Sequence, residues 1–110
     1  MDKKIAQAVI DRAGGYCEKC GGVLSEAYNL HHRKLKSRGG KDAVSNLIVV
    51  HNTCHIRHKD SIHDNPVEAE RMGFMCPSWR DPAEHPLIRS DGSIVLLLDD
   101  GSYKLLEKAK

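Results

Sequence analysis

Ile5, Ala8, Val9 and Ala13 fall on one face of a 3.6-residue period, and Gly14-Gly15 stops the pattern. The chain therefore predicts an opening helix over about residues 3–13. Two short β-prone runs come next, 27–31 and the stronger 46–50 (NLIVV). Between them HRKLKSRGGKDAVS is polar, basic and broken by Gly39-Gly40, which predicts an irregular loop. A helix should start at Asn52 or Thr53, either of which can cap it, and run through His55 towards Lys59. The unit is strand, long loop, strand, helix. A further helix is marked by Asn65 as N-cap, Pro66 in the first turn, Glu68 three residues after the cap and Gly73 as terminator. Residues 76–86 are rich in Pro and Asp and predict an extended surface connector. Asp91-Gly92 and Asp100-Gly101 then separate the runs 87–89, 94–98 and 103–106, the pattern of an antiparallel meander. These elements predict one α+β domain over residues 1–110, with a core at about 14–65 and a helix and meander at about 66–107.

Composition sharpens this picture. Of 110 residues only 40% are hydrophobic, so the core is small, and four Cys and seven His are candidate ligands for a metal that would brace it. Lys and Arg exceed Asp and Glu by 17 to 15, too little for a global attraction to nucleic acid or membrane, so any polyanion site must be local. No apolar run approaches the roughly 18–20 residues of a membrane span. The opening MDKKIAQAVIDRAGG also lacks the apolar core of a signal peptide. A soluble cytoplasmic protein is expected, in which cysteines two residues apart serve as zinc thiolates rather than as a disulfide.

Cys17-Glu18-Lys19-Cys20-Gly21-Gly22 has the spacing and the glycines of a knuckle that aims backbone N–H groups at thiolate sulfurs. His51 and Cys54 repeat the gap at the junction of the second strand and its helix. Together Cys17, Cys20, His51 and Cys54 predict a tetrahedral zinc site that is structural, because four protein ligands leave no open position. The opening helix is expected to cover this metal region. Cys76 is either a substitute for His51 or, in its Phe74-Met75 context, a packed thiol.

Chemistry must then use other residues. His31 and His32 are adjacent on a strand, so their side chains leave on opposite faces, and one can bind metal while the other acts on substrate. His55, directly after Cys54, can present an imidazole to a second metal. The segment HHRKLKSRGGKDAVSNLIVVHNTCH resembles the HNH nuclease motif, with His32, Asn46 and His55 as its letters, in the zinc-containing branch of the ββα-metal (His-Me finger) fold. The flanks IHDNPVEAERMGF, SWRDPAEHPL and LLLDDGSYKLL resemble small phage and prophage HNH proteins, many of them encoded near DNA-packaging genes.

The resemblance implies metal-dependent hydrolysis of DNA, leaving 5′ phosphate and 3′ hydroxyl ends. His32 would be the general base that takes the proton of the attacking water. The Asn46 amide would brace the loop and hold that base in place. His31 and His55 would bind one divalent cation, for which imidazole ligands suit Mn²⁺, Ni²⁺, Co²⁺ or Zn²⁺ as well as Mg²⁺. Many relatives place a third histidine ligand where this chain has Lys59. His63 is the expected substitute, with His58 the lesser candidate, while Lys59 would turn to phosphate. On a continuous helix His63 lies about 80° round from His55, so the chain must bend near Asp60-Ser61. Arg33, Lys34, Lys36, Arg38 and Lys41 would track the DNA backbone without reading sequence. Nothing in the sequence marks a recognition helix or an aromatic stacking platform, and His85 is assigned no role. The resemblance to packaging-linked proteins implies a bacterial host cytoplasm and a terminase or portal partner. The alternatives are a non-catalytic zinc-stabilised packaging accessory that binds DNA or protein, and an RNA-cutting enzyme.

Overall fold

The computed structural model describes residues 1–56 and 59–109. Helix α1 spans Lys3–Ala13; the Asp2 side chain accepts from the Lys4 N–H at its start, and Gly14, in the left-handed region, ends it. Strands β1 (Tyr28–His32) and β2 (Leu47–His51) form an antiparallel hairpin in which Tyr28 faces His51 and His32 faces Leu47. Each strand begins one residue later than the sequence predicts, β2 because residues 44–46 close a 3₁₀ turn that occupies Asn46.

The alternation along β2 explains why it reads as an unbroken apolar run. Leu47 and Val49 pack with Val9 and Ala13 of α1, while Ile48 and Val50 pack on the other side with Ile62, Phe74, Met75, Leu87, Val95 and Leu97. A strand buried on both faces has no polar positions to alternate. Residues directly opposite in an antiparallel pair share a face, so His31, facing Ile48, lies on the side away from α1, and His32, facing Leu47, on the side of α1. The expectation that α1 covers the zinc region is corrected: Cys17 packs with Ile48 and Val50, on the face of β2 away from the one that α1 covers. Helix α1 reaches the knuckle through Arg12, whose guanidinium forks onto the Glu18 carboxylate.

Helix α2 is a single turn, Asn52–His55, and ends where Ile56 turns extended. It neither reaches Lys59 nor takes its cap from Asn52 or Thr53; His51 occupies the cap position without a side-chain bond. The cause is long-range. The carbonyls of Cys54 and His55 accept from the N–H groups of Ile62 and His63 at 2.8 and 3.1 Å, so the chain folds back onto the helix end.

Helix α3 spans Pro66–Met72 and ends at Gly73. Asn65 precedes it, yet its amide caps the preceding bend, donating to the carbonyls of Lys59 and Ser61 at 2.7 and 2.9 Å. Glu68 pairs with Arg71, so the reciprocal capping that the sequence suggests does not form. The segment 76–86 is not the surface strap expected of it: Cys76 and His85 are buried, and a 3₁₀ turn at Pro82–Glu84 folds it inward. Strands β3 (Leu87–Ile88), β4 (Ile94–Leu97) and β5 (Tyr103–Glu107) form the antiparallel meander in that order. Among the described residues no helix is long and apolar enough to cross a membrane.

Candidate metal centres

Among the described residues two groups of ligand-type side chains converge. In the first, the ligand atoms of Cys17, Cys20, His51 and Cys54 all lie within 4.8 Å of one another. Tetrahedral zinc spaces its sulfurs about 3.8 Å apart and sulfur from nitrogen about 3.5 Å. The His51 Nδ1 stands 3.3 Å from the Cys20 sulfur and 3.8 Å from that of Cys54. Its Nε2–H donates to the Val23 carbonyl at 2.8 Å, which leaves the Nδ1 lone pair facing the sulfurs. Gly21 takes the left-handed turn that closes the knuckle. The N–H groups of Gly22 and His51 then reach the sulfurs of Cys20 and Cys17, each at 3.4 Å.

Burial raises the Cys17 thiol, but backbone N–H groups outweigh it and hold the group below its ordinary value. Burial, reinforced by the Cys17 and Cys20 sulfurs, pushes Cys54 up to about 12. Without a cation one thiolate therefore keeps its neighbour protonated, and a divalent metal removes that conflict. The donor set fits a metal ion with no open position. Cys76 stands apart as a packed thiol that donates to the Arg80 carbonyl.

The second group is His31, His55 and His63, whose ring nitrogens also lie within 4.8 Å of one another. Ring centroids are 5.0, 5.2 and 4.7 Å apart. His31 Nε2–H donates to the Phe74 carbonyl at 2.8 Å and His55 Nδ1–H to the Asn29 amide oxygen at 3.2 Å, so each ring keeps its other nitrogen for a ligand. The Nε2 atoms of His55 and His63 stand 3.1 Å apart. Two nitrogens held at right angles on one ion would be separated by about 3.0 Å. Burial drives the His31 pKa down to about 3 against the Phe74 bond, with His55, His63 and His32 adding to the fall. The ring is thus neutral, as a metal ligand must be. His63 is exposed, which leaves this cluster open on one side. It joins His55 because of the fold-back after α2. His58 lies outside the described residues, and Lys59, past the end of the turn, is exposed.

His32 leaves the hairpin on the other face, and its Nε2 meets the Asp42 carboxylate at 2.6 Å. That bond, helped by Lys36, holds Asp42 below the usual carboxylate range. With Asp42 on Nε2, the remaining basic nitrogen is Nδ1. Asn46, buried, accepts from the Lys34 N–H at 2.7 Å and donates to the carbonyls of Lys34 and Lys41, each at 3.0 Å, so one amide ties both arms of the loop. Gly40 lets the arms close, since a Cβ there would sit 1.7 Å from the Lys34 carbonyl oxygen.

Arg33 departs from its expected role in DNA contact. It is 0% exposed, and its guanidinium donates to the carbonyls of Gly73, Ser45, Pro82 and His85. Burial lowers its pKa to about 10, still charged at neutral pH. It ties the hairpin to the connector and cannot reach a phosphate. Lys36, Arg38 and Lys41 are exposed and Lys34 is half-buried at the mouth of a cavity. Sequence reasoning missed Asp42, Asn29 and the Glu18–Arg12 pair. Asn29 had a signal, because a period of two puts it on the face of His31. Asp42 had none, being one charge in an irregular loop.

Residues 17–61 match the family model described as HNH endonuclease, a span that holds His31, His32, Asn46, His55 and all four residues of the cysteine-rich group. No curated protein and no solved structure matches the chain.

Proposed function

With residues 17–61 matching the HNH endonuclease family model, we propose that this chain is a metal-dependent DNA endonuclease hydrolysing phosphodiester bonds beside the β1–β2 hairpin. The observation that carries this reading is the convergence of His31, His55 and His63, each free to offer a ring nitrogen, with the half-buried His32 adjacent to His31 in the strand and its loop braced by Asn46. His31, His55 and His63 would hold the catalytic ion, and Cys17, Cys20, His51 and Cys54 a structural Zn²⁺. When bound, the catalytic ion supplies charge neutralisation for the phosphate and its leaving oxygen. His32 accepts the proton of the attacking water at Nδ1, and Asp42 stabilises the imidazolium that results. Asn46 keeps the base in register by fixing the carbonyls on either side of the loop. Lys34, Lys36, Arg38 and Lys41 supply phosphate contacts without sequence reading. Residues 1–110 act as one folding unit, since both buried clusters draw on β2.

The likeness of the flanking segments to packaging-linked phage proteins supports a place beside a terminase that cuts concatemeric DNA in a bacterial cytoplasm. Co-purification with the terminase large subunit tests that partner.

The reading is tested by incubating purified, zinc-loaded protein with supercoiled plasmid, first in EDTA and then with divalent metals restored. Nicked or linear DNA should form only with metal, and His32→Ala should lose about 10²–10⁴-fold in rate. Intact plasmid under every metal, or unimpaired cutting by His32→Ala, would leave a zinc-stabilised binding module. Parallel digestion of RNA separates the ribonuclease alternative.

A further inference from the structure

The loop that carries Asp42 forms one wall of a cavity of about 410 Å³, lined among others by Lys34, Lys41, Asn46, Trp79, Arg80 and Asp99. Lys41 and Ala43, the neighbours of Asp42 in the chain, both line it, so the cavity begins beside the His32–Asp42 pair. Trp79 is the chain's only tryptophan and is 75% exposed. Its ring is not adrift. The Arg80 guanidinium carbon stands over the indole at 5.0 Å, Arg80 Nη1–H donates on to His85 Nδ1 at 3.0 Å, and Lys34 Nζ donates to the Arg80 carbonyl at 3.3 Å.

An indole backed on one face by an anchored cation is a rigid platform for a second flat, electron-poor group. The two carboxylates of the cavity are engaged by backbone N–H groups, Asp99 by Ser45 at 3.0 Å and Asp81 by Ala83 at 2.9 Å. Both carboxylates keep their charge, so the three cations Lys34, Lys41 and Arg80 outnumber them and leave the opening with a net positive lining. A flat hydrophobic surface among phosphate-binding cations is the pairing that single-stranded nucleic acid requires.

We propose that this cavity takes an unpaired nucleobase of the substrate strand, stacked on Trp79, with the adjoining phosphates on Lys34, Lys41 and Arg80. The substrate class that follows is single-stranded or frayed DNA in preference to closed duplex. This rests on the nuclease reading and specifies its substrate.

The sole tryptophan makes the test direct. Zinc-loaded protein without added catalytic metal is titrated with an oligothymidylate of about a dozen nucleotides, with an abasic strand of equal length and with a blunt duplex. Trp79 emission should fall on adding the oligothymidylate and stay constant with the abasic strand. Trp79→Ala should bind the oligothymidylate about 5- to 150-fold more weakly while Trp79→Phe keeps most of the affinity. Because Trp79 is exposed, both variants should retain zinc and the wild-type circular dichroism spectrum. Unchanged emission at saturation judged by anisotropy, equal quenching by the abasic strand, or equal affinity of Trp79→Ala overturns the inference and assigns Trp79 to a protein contact. An enzyme that cuts DNA without base-dependent quenching defeats this inference alone; one that quenches but never cuts defeats the nuclease reading alone.

Discussion

Arg33 and Lys41 show how differently the same charge is used here. Arg33 sits in a segment that reads as a solvent-facing basic loop, yet its partners Gly73, Pro82 and His85 are 40 to 52 residues away in sequence. No local pattern could reveal a cage of carbonyls delivered by the connector. Arg33→Ala strands those carbonyls in the interior and should cost at least about 3 kcal/mol in denaturant unfolding. The same variant should leave the salt dependence of DNA binding unchanged in its folded fraction. Lys41→Ala should do the reverse, keeping stability and lowering the slope of log affinity against log salt by about 1. Asn46 and His32, by contrast, are legible from the motif itself. What the motif does not disclose is that the Asn46 amide spans Lys34 and Lys41. Asn46→Asp replaces a donor facing two carbonyls with a carboxylate and should reduce cleavage more than Asn46→Ser, measured as kcat on plasmid.

Among the elements, α1 and the meander match expectation because their signals are local: a helical period stopped by glycines, and strands punctuated by Asp-Gly turns whose carboxylates accept from the Ser93 and Ser102 N–H groups. Helix α2 fails for the opposite reason, since its end is set by the return of Ile62 and His63. That return brings His63 beside His55, so a shorter helix than predicted is what assembles the histidine cluster. The knuckle is likewise held from a distance. Glu18 receives Arg12, the Val49 N–H at 3.0 Å and the Tyr103 hydroxyl at 2.7 Å, joining helix, strand and meander through one buried carboxylate. Glu18→Ala leaves the Arg12 charge without its partner and should destabilise the chain by about 3–5 kcal/mol in chemical denaturation. Loss of stability with cysteine ligation intact would be visible as an unchanged cobalt absorption spectrum at low denaturant.

At the scale of the whole molecule, metal and proton are linked to folding. Cys54 is held up near 12 by burial and by its neighbouring thiols, so loading the Cys17, Cys20, His51 and Cys54 site must expel protons. Titration calorimetry of zinc into the stripped protein should give an apparent enthalpy that changes with the ionisation enthalpy of the buffer. The histidine cluster has its own linkage. Folding lowers His31 from 6.5 to about 3, so below the higher value the unfolded chain takes up a proton that the folded chain refuses. The stability this ring contributes is full above the unfolded value and is lost as pH falls towards the folded one, at up to about 1.4 kcal/mol per pH unit. With the catalytic ion stripped, wild type should lose stability between about pH 6.5 and pH 5 more steeply than His31→Asn.

The division of labour between two adjacent histidines is the claim on which the rest depends. It is tested most directly by the rate of plasmid cleavage as a function of added Mn²⁺ for wild type, His31→Ala and His32→Ala, each loaded with structural zinc. A lost ligand weakens metal binding, so His31→Ala should need far more Mn²⁺ and regain part of the wild-type rate at saturation. A lost base is not replaced by metal, so His32→Ala should stay near background at every concentration. Recovery of His32→Ala at high Mn²⁺, or a His31→Ala rate that no concentration of metal improves, would contradict the assignment.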